Sequence, residues 1–240
     1  MEQTYEFAGI AVRVTHRDPL LARQCADYRM ERPALFSVEV TDSDVARERE
    51  IARKTSDEVF SYGYLESLAF YRKFCTAAAE YGVILLHGVA VETGGRAYLF
   101  AAPSGVGKTT HVRLWQKLLG DRMRVVNGDK PLVRVEKSGV TVYGTPWNGK
   151  EGMGEKTSAP LCGVCFLRRG TENAIEPLAA QQALPALLMQ LYRPDDAASD
   201  CTALDLAMDL LEQTPCWLLH CNMSDEAAKL SIQTMTGVSL

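Results

Sequence analysis

One string in the sequence has residue types and spacing that suit the binding of phosphate. Residues 102–109 read Ala-Pro-Ser-Gly-Val-Gly-Lys-Thr, which departs from the pattern G-x-x-x-x-G-K-[ST] only at Ala102. An apolar stretch at 97–101 precedes the string, and a helical pattern follows it over 109–119. A strand, a glycine-rich loop and a helix in this order predict a loop that holds phosphate groups.

Each part of this loop has a role that follows from its chemistry. Successive backbone N–H groups and the helix N-terminus would face the phosphates, and Gly105 and Gly107 permit the backbone angles that this needs. The ammonium group of Lys108 would reach the β- and γ-phosphates, and the hydroxyl of Thr109 would ligate Mg²⁺. The alternative is a glycine-rich turn at a helix start that has no chemistry.

An acidic residue follows the next predicted strand, at 124–126. The string Asn127-Gly128-Asp129-Lys130 places Asp129 in a polar turn, and the carboxyl end of a buried strand is where α/β proteins place such groups. Phosphoryl transfer requires an acid that holds Mg²⁺ and often one that accepts the proton of the nucleophile. Asp129 is the candidate for both roles, and a turn without chemistry is the alternative.

Further side chains extend the candidate site. His87, next to Gly88 at the end of a predicted strand, would support Asp129, and a hydrogen-bonded structural histidine is the alternative. Residues 145–156 contain several glycines and charges, which fits a mobile substrate loop with Lys150 on the transferred phosphate. A solvated surface loop explains them equally well. Arg193 is a weaker candidate for a phosphate contact, because a surface arginine is the simpler interpretation.

Together these strings resemble the kinase domain of HPr kinase/phosphorylase, a family similar to the nucleotide site of phosphoenolpyruvate carboxykinase. The resemblance rests on His87-Gly88, the loop at 104–109 and Asp129, within residues 83–180. It implies a mixed-sheet α/β phosphate-loop kinase domain that uses ATP and Mg²⁺. It also implies that Lys108 and Thr109 bind phosphate and Mg²⁺, and that Asp129 is base and metal ligand with His87 in support.

The sequence departs from the family's pattern at three points. The family has two adjacent acids where this chain has Gly128-Asp129, and a glutamate where this chain has Thr110. The family's N-terminal domain is not recognisable in residues 1–82. The prediction therefore leaves open the number of metal ions, a reverse phosphorylase reaction and HPr itself as a substrate.

The sequence thus predicts an ATP-dependent kinase that transfers the γ-phosphoryl group to a hydroxyl of a protein or peptide serine, or of a small molecule. The leading alternative is a nucleotide-binding regulatory or scaffold module with little turnover. A carboxykinase-like enzyme acting on a small acid comes third. The predicted site residues are Asp129, His87 and Lys108 for catalysis, Thr109 and Asp129 for the metal, and Ser104, Gly105, Val106, Gly107, Lys108, Thr109, Thr110 and Lys150 for the nucleotide.

Composition limits the partners. The 26 basic and 30 acidic residues give a formal charge of −4, which argues against a strongly basic nucleic-acid binder. Met1 begins no targeting pattern of a basic start and an apolar run. The most apolar stretch, at 83–91, falls far short of the ~20 residues that span a bilayer. We expect a cytoplasmic protein with neither nucleic acid nor membrane as partner, and a homo-oligomer stays open.

The cysteines give no sign of a disulfide framework. The 7 cysteines are scattered and lie mostly in apolar runs, which favours reduced, buried thiols. The Cys162 and Cys165 pair has the spacing of half a zinc site. Its apolar, strand-like surroundings and the lack of a matching second pair argue against metal binding.

Periodicity predicts a mixed α/β chain with 47% hydrophobic residues, enough for a real core. A strand and helix segment over 1–82 should pack on a phosphate-loop domain over 83–240. The spacing of Thr55 and Glu58 predicts a capping box and a helix over about 57–81 with a break near Gly63. We further expect an exposed charged stretch at 41–57, paired strands at 5–7 and 10–14, a hairpin of 161–167 with 174–178, and helices at 180–191, 200–213 and 224–235.

Overall fold

The computed structural model of the chain describes residues 1–55 and 57–239, except for the side chain of Thr55. Within these residues the chain forms both strands and helices. The strands are β1 (Glu2–Phe7), β2 (Ile10–Thr15), β3 (Phe36–Glu39), β4 (Val83–Leu85), β5 (Val89–Thr93), β6 (Arg96–Ala101), β7 (Met123–Asn127), β8 (Leu132–Glu136), β9 (Gly139–Tyr143), β10 (Ser158–Arg169), β11 (Ala174–Leu178) and β12 (Cys216–Cys221). The α-helices are α1 (Pro19–Gln24), α2 (Asp42–Thr55), α3 (Tyr62–Ala78), α4 (Lys108–Leu119), α5 (Ala180–Leu188), α6 (Ala197–Gln213) and α7 (Asp225–Thr236).

The strands form a small N-terminal sheet and one curled mixed sheet. The small sheet has the order β1-β2-β3, and the large sheet has the path β4-β8-β9-β10-β6-β5-β7, with β12 beside β10 and β11 beside β12. The long strand β10 joins the two halves of the large sheet. Its first residues pair antiparallel with β9, and the rest pairs parallel with β6 and β12. A register shift between Leu161 and Gly163 lies where the pairing changes, as expected for a β-bulge.

Strand direction decides where polar groups gather. Strands β6, β10 and β12 run parallel, and β5 pairs antiparallel with both β6 and β7. The carboxyl ends of β6, β7, β10 and β12 and the start of β5 therefore lie at one edge of the sheet, which we call the carboxyl edge. The loop at 102–107 follows β6, the turn at 127–130 follows β7, and His87 precedes β5, so all three reach this edge.

The N-terminal sheet shares its core with a loop of the large sheet. The aromatic ring of Phe7 lies between 5.3 and 6.0 Å, centroid to centroid, from those of Phe70, Phe74 and Trp147. The first two rings belong to α3, and Trp147 belongs to the loop that follows β9. Both sides of this contact are buried, so burial of apolar area binds the N-terminal residues to that loop.

The predicted helix over 57–81 begins later than expected. Helix α3 starts at Tyr62, where Ser61 Oγ accepts a hydrogen bond of 3.2 Å from Tyr64 N. The side chain of Thr55 and all of Ser56 lie outside the described residues. The expected break at Gly63 is wrong. Gly63 lies in the first turn, and a Cβ there would come within 2.4 Å of Asp18 Oδ1, so glycine serves packing at this position.

The charged stretch at 41–57 is mostly exposed, as expected, and most of it forms helix α2. Val45 and Glu48 of this helix are buried, and Arg72 of α3 forms an ion pair with Glu48. The hairpin of 161–167 with 174–178 is wrong, because β12 lies between β10 and β11 and pairs with both. Local pattern identified these strands but not their partners. The three C-terminal helices are confirmed, with α5 ending at Leu188 and α6 beginning at Ala197.

None of the helices in residues 1–55 and 57–239 combines the length and the apolar character that crossing a bilayer requires.

We predict that Gly144→Ala destabilises the fold. A Cβ at Gly144 would lie 1.8 Å from the backbone oxygen of Glu155 and 2.6 Å from that of Val126. Backbone atoms on both sides must shift, so the free energy of unfolding should fall by about 1–3 kcal/mol or more. Urea unfolding followed by circular dichroism measures this change.

The matched control is Gly94→Asn in the β5–β6 turn. Gly94 has a φ of +59° and open space around it, and asparagine tolerates this backbone conformation. The control should unfold at nearly the urea concentration of the unsubstituted chain. A similar loss in both variants would contradict the crowding argument.

Candidate active site

The loop after β6 has the backbone of an anion cradle. Gly105 and Gly107 have φ values of +79° and +122°, in the region that glycine adopts without steric cost. Nothing lies within 4 Å of a Cβ at either position, so backbone angles and not crowding require glycine here. Gly107 is the N-cap of α4, and no side chain of the described residues caps that helix. Its first N–H groups therefore face outward for an anion.

Lys108 is folded back over this loop. Its side chain is nearly buried, at 9% exposure, and its Nζ donates a hydrogen bond of 2.7 Å to Ala102 O. Burial lowers the pKa of Lys108, and the carboxylate of Asp129 opposes that shift. The ammonium group of Lys108 is thus held beside the loop amides by one backbone acceptor. The negative charge of Asp129 attracts it.

The remaining loop residues are distributed along two flanks. Ser104 is exposed on the flank towards Asp129, and Thr110 is exposed on the opposite flank. Thr109 is half-buried in the first turn of α4. Val106 N donates to Pro103 O at 3.3 Å, which closes the loop on itself.

A buried asparagine shapes the turn that carries Asp129. Asn127, at the end of β7, is fully buried. Its Oδ1 accepts from the backbone N–H groups of Asp129 at 2.9 Å and Lys130 at 2.7 Å. Its Nδ2 donates to Thr145 O at 3.1 Å and to Thr145 Oγ1 at 3.0 Å. The turn and the loop after β9 are therefore fixed to one another.

The structure also explains the glycine before Asp129. A Cβ at Gly128 would lie 2.8 Å from Met153 O and 3.0 Å from Asn148 O. Both are backbone atoms of the loop that covers the turn, and they leave no room for a larger side chain. A second acid beside Asp129 is therefore excluded by packing in this chain.

The carboxylate of Asp129 lies between two basic side chains. His87 Nε2 is 3.3 Å from its Oδ1, and Lys130 Nζ is 2.6 Å from its Oδ2. Burial alone would raise the pKa of Asp129, but the hydrogen bond from His87 and the charge of Lys130 outweigh it and lower the pKa to about 2. Asp129 is therefore ionised at neutral pH.

Backbone contacts lock His87 against this acid. His87 N donates to Gln190 O at 2.8 Å, and Gly88 N donates to Asp129 O at 2.9 Å. A Cβ at Gly88 would lie 2.9 Å from both Phe100 O and a methyl carbon of Leu99. Gly88 therefore allows a close packing contact that a larger residue would prevent. This contact places the imidazole of His87 beside the carboxylate of Asp129.

Asp129 opens into a cleft of about 470 Å³ that we call the acid cleft. Its walls come from the loop at 102–107, from the turn after β7, from the loop after β9 and from the N-terminal helices. The lining residues are Gln24, Tyr64, Leu68, Ser104, Asp129, Lys130, Pro146, Trp147, Asn148, Gly149 and Lys150. Gln24, Tyr64 and Leu68 belong to the N-terminal segment, and no motif in the sequence singled them out.

Aromatic stacking fixes the wall of the acid cleft. The rings of Trp147 and Tyr71 are parallel to within 6°, with centroids 3.8 Å apart. Trp147 Nε1 donates to Ser67 Oγ at 3.0 Å, and Tyr71 OH donates to Lys130 O at 2.8 Å. Helix α3 therefore supports both sides of Asp129.

Two predicted phosphate contacts are exposed side chains that lie close to acidic residues. The side chain of Lys150 is 91% exposed, and its Nζ is 3.5 Å from Glu58 Oε2 at the rim of the acid cleft. Its neighbour Gly149 packs against Asp129 instead. A Cβ added at Gly149 would lie 2.9 Å from Asp129 Cβ. Arg193 forms an exposed ion pair with Asp200, in keeping with a surface arginine.

A second cavity, of about 420 Å³, lies on the other flank of the loop, and we call it the loop cavity. It is lined by Gly105, Val106, Gly107, Thr110, His111, Leu114, Leu167, Arg169, Gly170, Cys221, Asn222 and Met223. The guanidinium of Arg169 donates to Gly105 O and, at 3.4 Å, to Val106 O. The sequence did not predict this contact between Arg169 and the loop, because Arg169 lies at the end of a strand and outside any motif.

The donor set near the loop suits a metal shared with phosphate. In residues 1–55 and 57–239 no group of three or more His, Cys, Asp or Glu side chains is arranged to hold a metal ion. The Thr109 hydroxyl and the ionised Asp129 carboxylate are oxygen donors, which Mg²⁺ prefers, and Mg²⁺ commonly takes its other ligands from phosphate and water. Lys130 already occupies one oxygen of Asp129 and would have to give way for direct ligation.

Comparisons with known proteins give little. No protein-family model matches the chain, and no curated protein sequence matches it. One solved structure with similarity is the Hpr(Ser) kinase/phosphatase from Coxiella burnetii, which is 9% identical, with coverage of 64% of this chain and 88% of that chain and a TM-score of 0.34. So distant a likeness carries no argument about function.

We predict that Asp129 stabilises the fold in a pH-dependent way. Its pKa of about 2 in the folded chain is below the ordinary value of about 3.9. The added stability is therefore complete above about pH 5 and is lost as the pH falls towards 2. The free energy of unfolding of the unsubstituted chain should exceed that of Asp129→Asn by about 1 kcal/mol more at pH 6 than at pH 3.

Urea unfolding at a series of pH values measures this difference. Asp205→Asn, on an exposed position of α6, is the matched control and should track the unsubstituted chain at every pH. A gap between the Asp129 variant and the unsubstituted chain that stays constant with pH would contradict the ion-pair argument.

Proposed function

We propose that this protein is an ATP-dependent phosphotransferase that transfers the γ-phosphoryl group to a hydroxyl acceptor. One observation carries the proposal. At the carboxyl edge, the loop that contains Lys108 lies next to the ionised Asp129 and its partner His87. Ser104 of the loop lines the same cleft as Asp129. Anion-binding amides and an acid that orients a nucleophile are the parts that phosphoryl transfer requires.

The two cavities suggest the orientation of the nucleotide. In phosphate loops the lysine reaches the β- and γ-phosphates, and the next hydroxyl meets the metal ion. Thr110 lies on the flank of the loop cavity and Ser104 on the flank of the acid cleft. The nucleoside would occupy the loop cavity, whose volume of about 420 Å³ suits a small ligand. The γ-phosphate would then point to the acid cleft and the acceptor.

The transfer step follows from these positions. The acceptor oxygen forms a bond to the γ-phosphorus while the bond from that phosphorus to the bridging oxygen of ADP breaks, and the hydroxyl proton passes to Asp129. Asp129 is a weak base because of its low pKa, so its main role is to orient the hydroxyl. Because the transition state of phosphoryl transfer is loose, orientation of the hydroxyl is most of what the acid must supply.

Lys108 and the loop amides stabilise the charge on the transferred group. Thr109 and Asp129 would hold Mg²⁺, which when bound would supply neutralisation of charge on the phosphate oxygens. His87 keeps the carboxylate of Asp129 in place through Nε2. The acceptor class that the proposal names is a hydroxyl of a peptide, protein or small molecule.

A nucleotide-binding module with little turnover is the second candidate. Both oxygens of Asp129 are engaged, one by His87 and one by Lys130, and Gly128 leaves no space for a second acid. These contacts favour a site that binds a nucleotide tightly and reacts slowly. Measuring binding and transfer separately distinguishes the two candidates.

We predict that Lys108→Ala weakens ATP binding. The variant removes the buried cation of the loop, and charged hydrogen bonds of this kind contribute about 1.5–3 kcal/mol, or about 10- to 100-fold in affinity. Isothermal titration calorimetry with ATP and Mg²⁺ measures the change. Lys137→Ala, on an exposed turn, should bind ATP as the unsubstituted chain does. Equal binding by both variants would overturn both candidate functions.

We predict that Asp129→Asn retains ATP binding but loses transfer. The amide keeps the size of the side chain and removes its charge, so transfer should fall by about 10²–10⁴-fold. γ-Labelled ATP with serine-containing peptides and small hydroxy compounds supplies the assay. Transfer at the unsubstituted rate would rule out the proposed role of Asp129. Tight ATP binding by the unsubstituted chain without transfer to any acceptor would favour the module.

A further inference from the structure

The side chain of Arg169 connects the end of β10 to the loop at 102–107, and the proposed reaction gives it no part. Its guanidinium donates hydrogen bonds to Gly105 O and, at 3.4 Å, to Val106 O. Both acceptors belong to the glycine-rich stretch that leads into α4. A guanidinium presents its N–H groups in a rigid, planar fork, so this one side chain holds two neighbouring carbonyl groups at once.

The sheet fixes the backbone that carries this guanidinium. Arg169 is the last residue of β10 and pairs with Cys221 of β12, and Gly170 N donates to Cys221 O at 3.0 Å. Successive side chains of a strand point to opposite faces. Arg169 therefore shares the face of Leu167, which packs in the same core as the buried residues of α4. Its neighbour Arg168 lies on the other face.

The two carbonyl groups determine where the neighbouring amides point. In a trans peptide unit, the C=O of one residue and the N–H of the next point in opposite directions, and none of the described peptide bonds is cis. While Arg169 holds Gly105 O, the N–H of Val106 points the other way and donates to Pro103 O at 3.3 Å. While Arg169 holds Val106 O, the N–H of Gly107 points away from the guanidinium.

The glycines of the loop make this alignment easy to lose. Gly105 and Gly107 have φ values of +79° and +122°, and glycine adopts positive and negative φ about equally well. The adjoining peptide units can therefore turn over at low steric cost. A unit that has turned over presents a carbonyl oxygen where an anion needs an N–H group. A contact from outside the loop that holds the carbonyls keeps the amides available to phosphate.

We propose that Arg169 is a positioning residue, which holds the carbonyls of Gly105 and Val106 so that the N–H of Gly107 faces bound phosphate. The inference rests on the phosphate-binding role that the proposed function gives to this loop. It assigns Arg169 no contact with the nucleoside or the acceptor. Because the side chain of Arg169 is exposed, its removal should change the loop and leave the melting temperature of the chain nearly the same.

The binding of two probes tests this role. ATP and inorganic tripolyphosphate, each with Mg²⁺, are titrated into the full chain by calorimetry. Arg169→Met removes both donors and should weaken the two probes equally, by about five- to tenfold. Arg168→Met removes the same charge from the opposite face and should leave both affinities within about twofold. Unchanged affinity in Arg169→Met, a loss for ATP alone, or equal losses in both variants would overturn the proposal.

The conservative variant separates positioning from charge. Arg169→Lys keeps the positive charge but lacks the planar fork that reaches two carbonyls. It should remain several-fold weaker than the unsubstituted chain for both probes. If Arg169→Lys bound them as tightly as the unsubstituted chain, charge alone would explain the effect and the positioning role would be wrong.

A measurement without any ligand reports the loop directly. The N–H of Val106 is bonded to Pro103 O, so its hydrogen exchange, followed by NMR, should be several-fold faster in Arg169→Met and unchanged in Arg168→Met. Unchanged exchange in Arg169→Met, together with weaker probe binding, would mean that Arg169 contacts phosphate itself and would overturn the proposal. If the unsubstituted chain bound neither probe, the proposed function would fail, whereas the exchange rates would still decide whether Arg169 holds the loop.

Discussion

The buried side-chain amide of Asn127 holds together the two loops on which the candidate site depends. Its carbonyl oxygen organises the turn that presents Asp129, and its amino group reaches Thr145 in the loop after β9. Thr145 Oγ1 in turn donates to Lys130 O at 3.0 Å. Because each buried polar group in this network has a partner, displacing one loop would leave several unpaired groups and cost far more than one hydrogen bond. The acid, its basic neighbour and the loop therefore form one unit.

This unit ties the N-terminal residues to the chemistry of the large sheet. Trp147 follows Thr145 by two positions and is inserted among the rings of α3 and β1. Gln24 donates to Pro146 O at 3.2 Å, so α1 also contacts the loop. The first helices thus form one wall of the acid cleft that Asp129 also lines. Residues 83–240 alone would lack that wall.

The sequence predicted the parts of the site that are local and missed the parts that are assembled over distance. The loop at 102–109 and the turn at Asn127 carry their information in neighbouring residues, because backbone angles and strand ends are set locally. The insertion of β12 between β10 and β11 depends on a pairing between strands about fifty residues apart, which periodicity does not encode. Gln24, Tyr64 and Arg169 belong to no sequence motif. They lie at the candidate site only because the fold brings distant segments of the chain together.

The crowding around Gly128 also sets the balance of charge at the carboxyl edge. With space for a single acid, Asp129 faces Lys108 and Lys130, and the edge carries one more positive than negative charge among these three residues. A second carboxylate there would cancel that excess of positive charge. Within a chain of formal charge −4, these three residues thus carry a local excess of one positive charge, and fixed positive charge of this kind attracts anions from solution.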